Sequence, residues 1–312
     1  MTQARMGRMV VLVVGMALVA GCGGSGTPTG GVEPAATGAK IVFASEAPGD
    51  WHIFTMGPYG ANRADLTPGN TYANTMPCWS PDHRKIAFVS TRKGAAELFV
   101  MDANGLNLRR LTFGATATDY VRNPAWSPDG KKIAFQREHV DSYTHLYVIN
   151  PEGGGQRQVT SGGHHDQNPT WLPDGSALLF DSDRKVIKQL FKVDPTGLNL
   201  MRFRTSAAND RMPVCAPDVA RILFASDRLG GRYNQWSMKL DGTDLKRITN
   251  VATGAFALYG SWGPGGTAAV FTRMSPGVSE VRKINADGSG STPLTDAAGE
   301  QANWADGGRV PS

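Results

Sequence analysis

The chain is poor in the features that mark several large protein classes. Only 19% of its 312 residues are charged, and no stretch shows a sustained helical period. With 38 glycines and 19 prolines, it is neither a disordered chain nor a helical one, and a turn-rich all-β protein is expected. The net charge of +5 falls to +3 (30 basic minus 27 acidic residues) without Arg5 and Arg8 of the leader described below. This excess is small and forms no basic cluster, which excludes a nucleic-acid surface.

Motifs for nucleophilic catalysis and for nucleotide or calcium binding are missing. There is no G-x-S-x-G nucleophile elbow, no phosphate-binding loop and no EF-hand loop. The Asp-Gly pairs at Asp241 and Asp287 stand where every repeat has a turn, and turn geometry accounts for them. We therefore expect no acyl-transfer activity, and we interpret the chain as a binding protein rather than an enzyme.

The first 21 residues are typical of a secretion signal. Arg5 and Arg8 precede an apolar run, 10–20, that is too short to span a bilayer. The ending Val19-Ala20-Gly21-Cys22 resembles a bacterial lipoprotein signal, which implies lipid attachment at Cys22. Residues 22–39 are rich in Gly, Thr and Pro and are expected to form a flexible tether.

A repeat of about 45 residues runs through the rest of the chain. The clearest copies begin WSPDHRKIAF and WSPDGKKIAF, and each copy ends on a threonine. The copies start at Trp79, Trp126, Trp171, Cys215, Trp262 and Trp304. Their closing threonines are Thr67, Thr112, Thr160, Thr205, Thr249 and Thr295. A fixed period of this length is typical of a propeller, and the tryptophans are expected to fill the gaps between its sheets.

Each repeat reads as four short strands joined by tight turns, which is one propeller blade. The region begins with the second strand of a blade, 41–44 (IVFA), and finishes with only a first strand, 301–305 (QANWA). Pairing these two segments completes a sixth blade and leaves no open edge. We therefore predict a six-bladed β-propeller over 40–306, closed by a one-plus-three strand clasp, with a tail at 307–312. Cys78 and Cys215 then lie in opposite blades, too far apart to pair, and are expected to be buried free thiols.

The pattern P-x-W-S-P-D-G, then I-A-F, then a strand like LYVMD and a closing L-T, resembles the TolB-type (WD40-like, PD40) repeat. The resemblance covers 40–306 and implies a TolB-like propeller without the α/β domain that precedes it in TolB. Prolyl-oligopeptidase relatives carry the same repeats ahead of a hydrolase domain, and no such domain follows here. Oligogalacturonate lyases are also similar, which implies an alternative: a metal-assisted lyase, or a binder, of acidic glycans.

The loops that enter the first strand of each blade are the best candidates for a binding site. They lie around the mouth of the central channel, together with the loops between second and third strands. The candidate residues of this channel-mouth binding face are Asn74, Asp119, His164, His165, Asp166, Asp210 and Arg211. The same loops also carry Tyr72, Tyr120, Arg122 and Tyr259.

Two groups of these residues each have two competing interpretations, and a series of recurring arginines has one. His164-His165-Asp166 has the side chains of a transition-metal site, but neighbouring residues of an extended segment point in opposite directions. Asn74, Asp166 and Asp210 would form a ring of oxygens for a cation, or would cap turns by bonding backbone amides. Arg92, Arg184 and Arg228 recur at one blade position, and we interpret them as bridges between neighbouring blades.

The sequence as a whole predicts a monomeric, non-catalytic lipoprotein of the bacterial cell envelope, lipid-anchored on an extracytoplasmic face. Its propeller is expected to bind a protein or peptide partner, and neither nucleic acid nor a tightly bound cofactor is expected. A divalent cation in the channel is the single cofactor this interpretation allows. The alternative remains a carbohydrate-active propeller that uses His164, His165 and charged loops.

Overall fold

The computed structural model describes residues 40–47, 50–115, 119–139, 143–216 and 220–295, together with two short strands, Met16–Ala17 and Asn303–Trp304. Strands dominate, and the helical element of the described residues is a 3-10 turn at Pro264–Gly266. In this part of the chain no helix has the length and apolar character needed to cross a membrane. The predicted signal, Cys22 and the tether fall outside the described residues, apart from the strand at Met16–Ala17.

The strands form six antiparallel sheets, one for each blade. Blade 1 contains β1 (Met16–Ala17), β2 (Lys40–Ala47), β3 (Asp50–Met56), β4 (Ala64–Asp65) and β25 (Asn303–Trp304). Blade 2 contains β5 (Asn74–Trp79), β6 (Lys85–Ser90), β7 (Glu97–Asp102) and β8 (Arg109–Arg110). Blade 3 contains β9 (Asp119–Trp126), β10 (Ile133–His139), β11 (Thr144–Ile149) and β12 (Arg157–Gln158).

The second half of the ring repeats the same plan. Blade 4 contains β13 (Asp166–Trp171), β14 (Leu178–Lys185), β15 (Ile187–Val193) and β16 (Met201–Arg202). Blade 5 contains β17 (Asp210–Cys215), β18 (Arg221–Ser226), β19 (Asn234–Lys239) and β20 (Lys246–Arg247). Blade 6 contains β21 (Phe256–Trp262), β22 (Ala268–Ser275), β23 (Val278–Asn285) and β24 (Thr292–Pro293). The predicted six-bladed all-β propeller is confirmed.

Two kinds of contact close the ring. Strand β25 pairs with β2, with Trp304 opposite Phe43, which is the predicted clasp between the two ends of the repeat region. Independently, Ile41 and Phe43 of blade 1 pack in one buried cluster with Val270 and Val281 of blade 6. Strand β1 pairs with the same edge of β2, at Lys40 and Ile41. The last blade therefore contacts the first through its core as well as through the clasp.

Buried apolar clusters between neighbouring blades hold the ring together. Trp79 packs with Val42 and Ile53 of blade 1, and Trp171 packs with Leu146 and Val148 of blade 3. Trp126 and Trp262 occupy equivalent places in the next interfaces. Because each tryptophan is buried against the preceding blade, the predicted core role of this series is confirmed for these four positions. Cys78 and Cys215 are buried, and neither forms a disulfide within the described residues, as expected.

The threonine that ends a repeat has a structural role that its position explains. Thr112 Oγ1 accepts a hydrogen bond from the backbone N–H of Leu98, 2.9 Å away, at the start of the third strand. The same bond recurs, always over 14 residues, at Thr67, Thr160, Thr249 and Thr295. The fourth strands are only two residues long, so the hydroxyl satisfies a buried N–H that the ladder leaves open.

Glycines in the turns between third and fourth strands allow the blades to approach closely. Gly105 has a φ of +85°, and a Cβ there would lie 2.7 Å from the carbonyl oxygen of Leu66 in blade 1. Gly60 makes the corresponding approach to Leu294 of blade 6, at 2.8 Å. A side chain would be strained by the backbone angle and would also collide with the neighbouring blade.

Candidate functional site

The two ends of the ring differ in the variety of their loops. At one end, called here the turn face, first and second strands of blades 2–6 are joined by five or six residues, for example 80–84 and 127–132. Connections between third and fourth strands at this end are six or seven residues long. At the other end, called the channel face, second and third strands are joined by between one residue, Val186, and seven, 227–233. Loops that vary on a constant scaffold are where binding sites usually lie.

Exposed apolar side chains stand on loops of the channel face. Phe113 and Val186 are 66% and 95% exposed, and the other large exposed side chains at this end are Tyr143, Leu229 and Phe256. Val186 also has a left-handed backbone, with a φ of 77°. A β-branched residue rarely adopts this conformation, and such strain concentrates at functional positions.

Four pairs of polar side chains line the inner part of the channel face, each joining residues 18 positions apart. They are Asn74 with Arg92, Asp119 with Arg137, Asp166 with Arg184, and Asp210 with Arg228. The acceptor in each pair is the first residue of an innermost strand. The pair in blade 4 is bidentate: Arg184 donates from Nη2 to Asp166 Oδ2 at 2.6 Å and from Nε to Oδ1 at 3.1 Å.

These pairs correct two of the sequence-based interpretations. Asp166 and Asp210 are 0% and 2% exposed, so their oxygens are bonded to arginines inside the blade and do not form an open ring for a cation. Arg92, Arg184 and Arg228, which we interpreted as bridges between neighbouring blades, each bond an innermost strand of their own blade. The register explains this. Asp166 lies opposite Ser182, and Arg184, two residues further on, shares that face of the sheet. Arg184 also donates to the carbonyl oxygen of Ser161, in the loop that leaves blade 3, at 3.1 Å.

The two adjacent histidines lie half-buried in the loop that enters blade 4. His165 packs edge-on against Tyr143 of blade 3, with ring centroids 5.6 Å apart, and its Nδ1 is 3.2 Å from Thr144 Oγ1. Its backbone N–H donates to Asp183 at 2.8 Å, and Lys188 donates to its carbonyl oxygen at 2.9 Å. Within the described ranges, no three His, Cys, Asp or Glu side chains are grouped as a metal site. The geometry here is that of a contact between blades.

A left-handed residue interrupts the innermost strand of blades 2–6. It stands three positions before the Trp or Cys of each repeat, with φ between 52° and 54°, at Met76, Asn123, Asn168, Met212 and Tyr259. The strand pairing shifts at the same place, which identifies a β-bulge. Bulges turn side chains out of the normal alternation along a strand.

Hydrogen bonds connect the bulges of blades 3, 4 and 5. Asn123 Nδ2 donates to Asn168 Oδ1 at 2.7 Å and to Gln136 at 2.8 Å. Asn168 Nδ2 in turn donates to Asp181 Oδ1 at 2.6 Å, and the N–H of Met212 donates to the same oxygen at 2.9 Å. The bulges therefore form a bonded arc around the channel.

Asp181 is a central residue of this arc, and the sequence analysis did not identify it. It is fully buried, and burial raises its pKa above the ordinary value of 3.8, against the opposing charges of Lys188 and Arg211. Its Oδ2 lies 4.0 Å from Lys188 Nζ. A signal was available, because Asp181 stands at a core position where three other repeats carry an apolar residue, Ala44, Val89 and Ala225.

Arg211 and Tyr259 continue the arc into blades 5 and 6. Burial opposes the charge of Arg211, but Asp181 and Tyr233 raise its pKa above the ordinary value. Burial raises the pKa of Tyr259 far above its ordinary value of 10, while the charges of Arg211 and Arg122 act in the opposite direction. The Tyr259 phenol is therefore neutral at neutral pH, and the positive charges of Arg211 and Arg122 act on it.

An open cavity of about 450 Å³ lies on the channel face between blades 4 and 5. It is lined by the loop 204–209 together with Asp227 and Arg228. Asn209 closes one side by donating from its N–H and from Nδ2 to the two carboxylate oxygens of Asp227, at 2.9 and 2.8 Å. The volume of this cavity falls within the range of clefts that bind small ligands.

Solved structures with this architecture include two TolB proteins and a lyase. TolB from Acinetobacter baumannii is 18% identical with a TM-score of 0.71, over 86% of this chain and 66% of that one. The chain thus spans just under two thirds of that TolB. A putative TolB from Agrobacterium tumefaciens is 18% identical with a TM-score of 0.65, over 86% and 94% of the two chains. An oligogalacturonate lyase in complex with manganese is 14% identical with a TM-score of 0.58, over 81% and 73%.

The likeness to these structures shows the fold, and the family follows from the sequence itself. No curated protein matches the chain. The family described as the TolB beta propeller domain (PD40) matches residues 115–307, more than half of the chain. The chain therefore belongs to the TolB β-propeller domain family.

Proposed function

We propose that this propeller is a non-catalytic binding scaffold of the bacterial cell envelope, which holds a protein or peptide partner on its channel face. The observation that carries the proposal is the contrast between the two ends of the ring. The turn face is built from turns of nearly uniform length, whereas the channel face carries loops of varied length, with exposed Phe113 and Val186 around buried charged pairs. Exposed aromatic and aliphatic side chains of this kind can serve as anchors that a partner buries.

An envelope location supports the same proposal. The leader and Cys22 resemble a lipoprotein signal, and the similar solved structures include two named as TolB. A lipid on Cys22 would hold the propeller near a membrane surface through the tether 23–39. The partner would then be another envelope protein.

Site-specific photo-crosslinking in cells tests the proposal. A photoreactive amino acid is placed at Val186 or Phe256 on the channel face, and at the similarly exposed Leu106 or Leu198 on the turn face as matched controls. We expect discrete adducts from the two channel-face positions and none from the controls. Equal adducts from both faces, or none from Val186 and Phe256, would refute the assignment of the binding face. A Cys22→Ala variant is expected to leave the membrane fraction.

The similarity to an oligogalacturonate lyase favours a second candidate, a carbohydrate-active propeller. It makes a different prediction: purified protein should retain a divalent metal that a His165→Ala variant loses, and it should release unsaturated uronides from oligogalacturonate. Retained metal with turnover, and no channel-face adducts, would favour this candidate over the scaffold.

A further inference from the structure

Three side chains of the innermost strands come from three different blades. Arg122 belongs to blade 3, Arg211 to blade 5 and Tyr259 to blade 6. Each arginine directly precedes the left-handed residue of its bulge, and Tyr259 is itself the bulge residue of blade 6. Blades 3 and 6 stand opposite each other in a ring of six, so side chains that interact between them meet across the channel. We call these three residues the axial site.

Tyr259 is the most buried member of the axial site. Its side chain is 2% exposed, and its hydroxyl has no hydrogen-bond partner among the described residues. The charges of Arg211 and Arg122 both act on this phenol, which places two guanidinium groups near it from different blades. A buried hydroxyl without a protein partner is costly, so a water molecule or a ligand is expected to bond it.

The donors around the site favour a ligand with acceptor oxygens. Arg122 Nε lies 3.2 Å from Glu138 Oε2, and Asp181 faces Arg211 and Lys188. Lys188 Nζ also lies 3.7 Å from Asp183 Oδ2, so three cations face three carboxyl groups. The site carries a positive excess when Asp181 is protonated, which its raised pKa favours. Arg211 Nε is a buried donor for which the described part of the chain offers no acceptor.

The site therefore presents unused donors: a phenol O–H and guanidinium N–H groups. A ligand that fits must supply acceptor oxygens and negative charge, and a planar carboxylate matches the fork of an arginine. We propose that the axial site binds a carboxylate group of an acidic peptide, held by Arg211 and Tyr259 with Arg122 opposite. This inference rests on the proposed function, because it names the chemistry of the partner that the channel face binds.

Calorimetric titration of the purified full-length chain with small probes tests the inference. Sodium acetate supplies a free carboxylate, and N-acetyl-triglycine supplies a C-terminal one. An N-acetylated, C-amidated Gly-Asp-Gly supplies a side-chain carboxylate, and N-acetyl-triglycine amide supplies none. We expect saturable binding of at least one carboxylate probe and none of the amide. Whichever peptide binds tells whether a chain end or an acidic side chain is recognised.

Variants separate the axial site from general charge effects. Tyr259→Phe removes only the unpartnered hydroxyl, so we expect an unfolding midpoint that is unchanged or higher and about tenfold weaker carboxylate binding. Arg211→Gln is expected to abolish saturable binding. Arg247→Gln, which removes the same charge from an exposed outer strand, is expected to have no effect.

Two outcomes would overturn the inference: no saturable binding of any carboxylate probe, or equal binding by the unchanged chain, Tyr259→Phe and Arg211→Gln. If crosslinks form at Val186 and Phe256 but no carboxylate binds, the axial site fails and the scaffold stands. If carboxylates bind without crosslinks, the axial site stands and the scaffold fails.

Discussion

Replacement of Arg184 by methionine is expected to destabilise the propeller strongly. Asp166 is fully buried, and both of its oxygens accept hydrogen bonds from this one guanidinium. Methionine keeps much of the aliphatic volume but leaves the carboxylate without its partner. Removing one member of a buried ion pair costs about 3–5 kcal/mol, since the remaining charge stays in a poorly solvated place. At about 2–4 °C per kcal/mol for a domain of this size, the melting temperature should fall by about 6–20 °C.

The chain contains its own control for this argument. Blade 2 has the neutral Asn74 where blade 4 has Asp166, and Arg92 donates to Asn74 Oδ1 at 2.8 Å. Arg92→Met leaves no buried charge behind and should cost about 1–3 kcal/mol. Adding Asp166→Asn to Arg184→Met should restore about 2 kcal/mol, because the double variant then matches blade 2 without its arginine.

Urea unfolding followed by tryptophan fluorescence measures these differences, since tryptophans lie at the interfaces between blades. The reasoning would be refuted if the double variant were no more stable than Arg184→Met. Such a result would mean that lost packing of the arginine side chain, not the unpaired carboxylate, causes the destabilisation.

Two further changes test the repeat threonines and the buried carboxyl of the channel. Thr112→Val removes the acceptor of the buried Leu98 N–H, so chemical denaturation should show a loss of about 1–3 kcal/mol; a neutral result would contradict the structural role of this hydroxyl. The pKa of Asp181 is higher in the folded chain than its ordinary value of 3.8. Its contribution to the free energy of unfolding is therefore fully present below pH 3.8 and is lost as pH rises through the raised pKa. Asp181→Asn cannot ionise, so its stability relative to the unchanged protein should increase as pH rises through that window, and a difference independent of pH would contradict the raised pKa.

The fold was predictable because each blade is determined by residues close together in sequence. The spacing of Trp79, Trp126 and Trp171 sets the number of blades, and the incomplete repeats at both ends set the closure. Part of the candidate site was also predictable from the sequence. Asp166 and Arg184 were both singled out, and the constant separation of 18 residues that joins them would have revealed the pairing.

Other parts of the site were not predictable from the repeat pattern. Asp166 and Asp210 were assigned to entering loops from the sequence, yet each is the first residue of an innermost strand and has a buried side chain. Asp181 was not identified from the sequence, and its partners Asn168 and Met212 belong to two different bulges. A periodic pattern describes what the blades share, whereas the site is made of the positions at which they differ.

The sequence by itself determined the family, the six blades, the buried tryptophans and the one-plus-three closure, because short-range patterns of apolar residues and turns specify each blade. Only the tertiary structure decided which side chains meet at the ring axis. Arg122 and Tyr259 are separated by more than a hundred residues and stand in opposite blades. Their approach depends on how six sheets pack around a common centre and on the bulges of these strands, which no local pattern encodes.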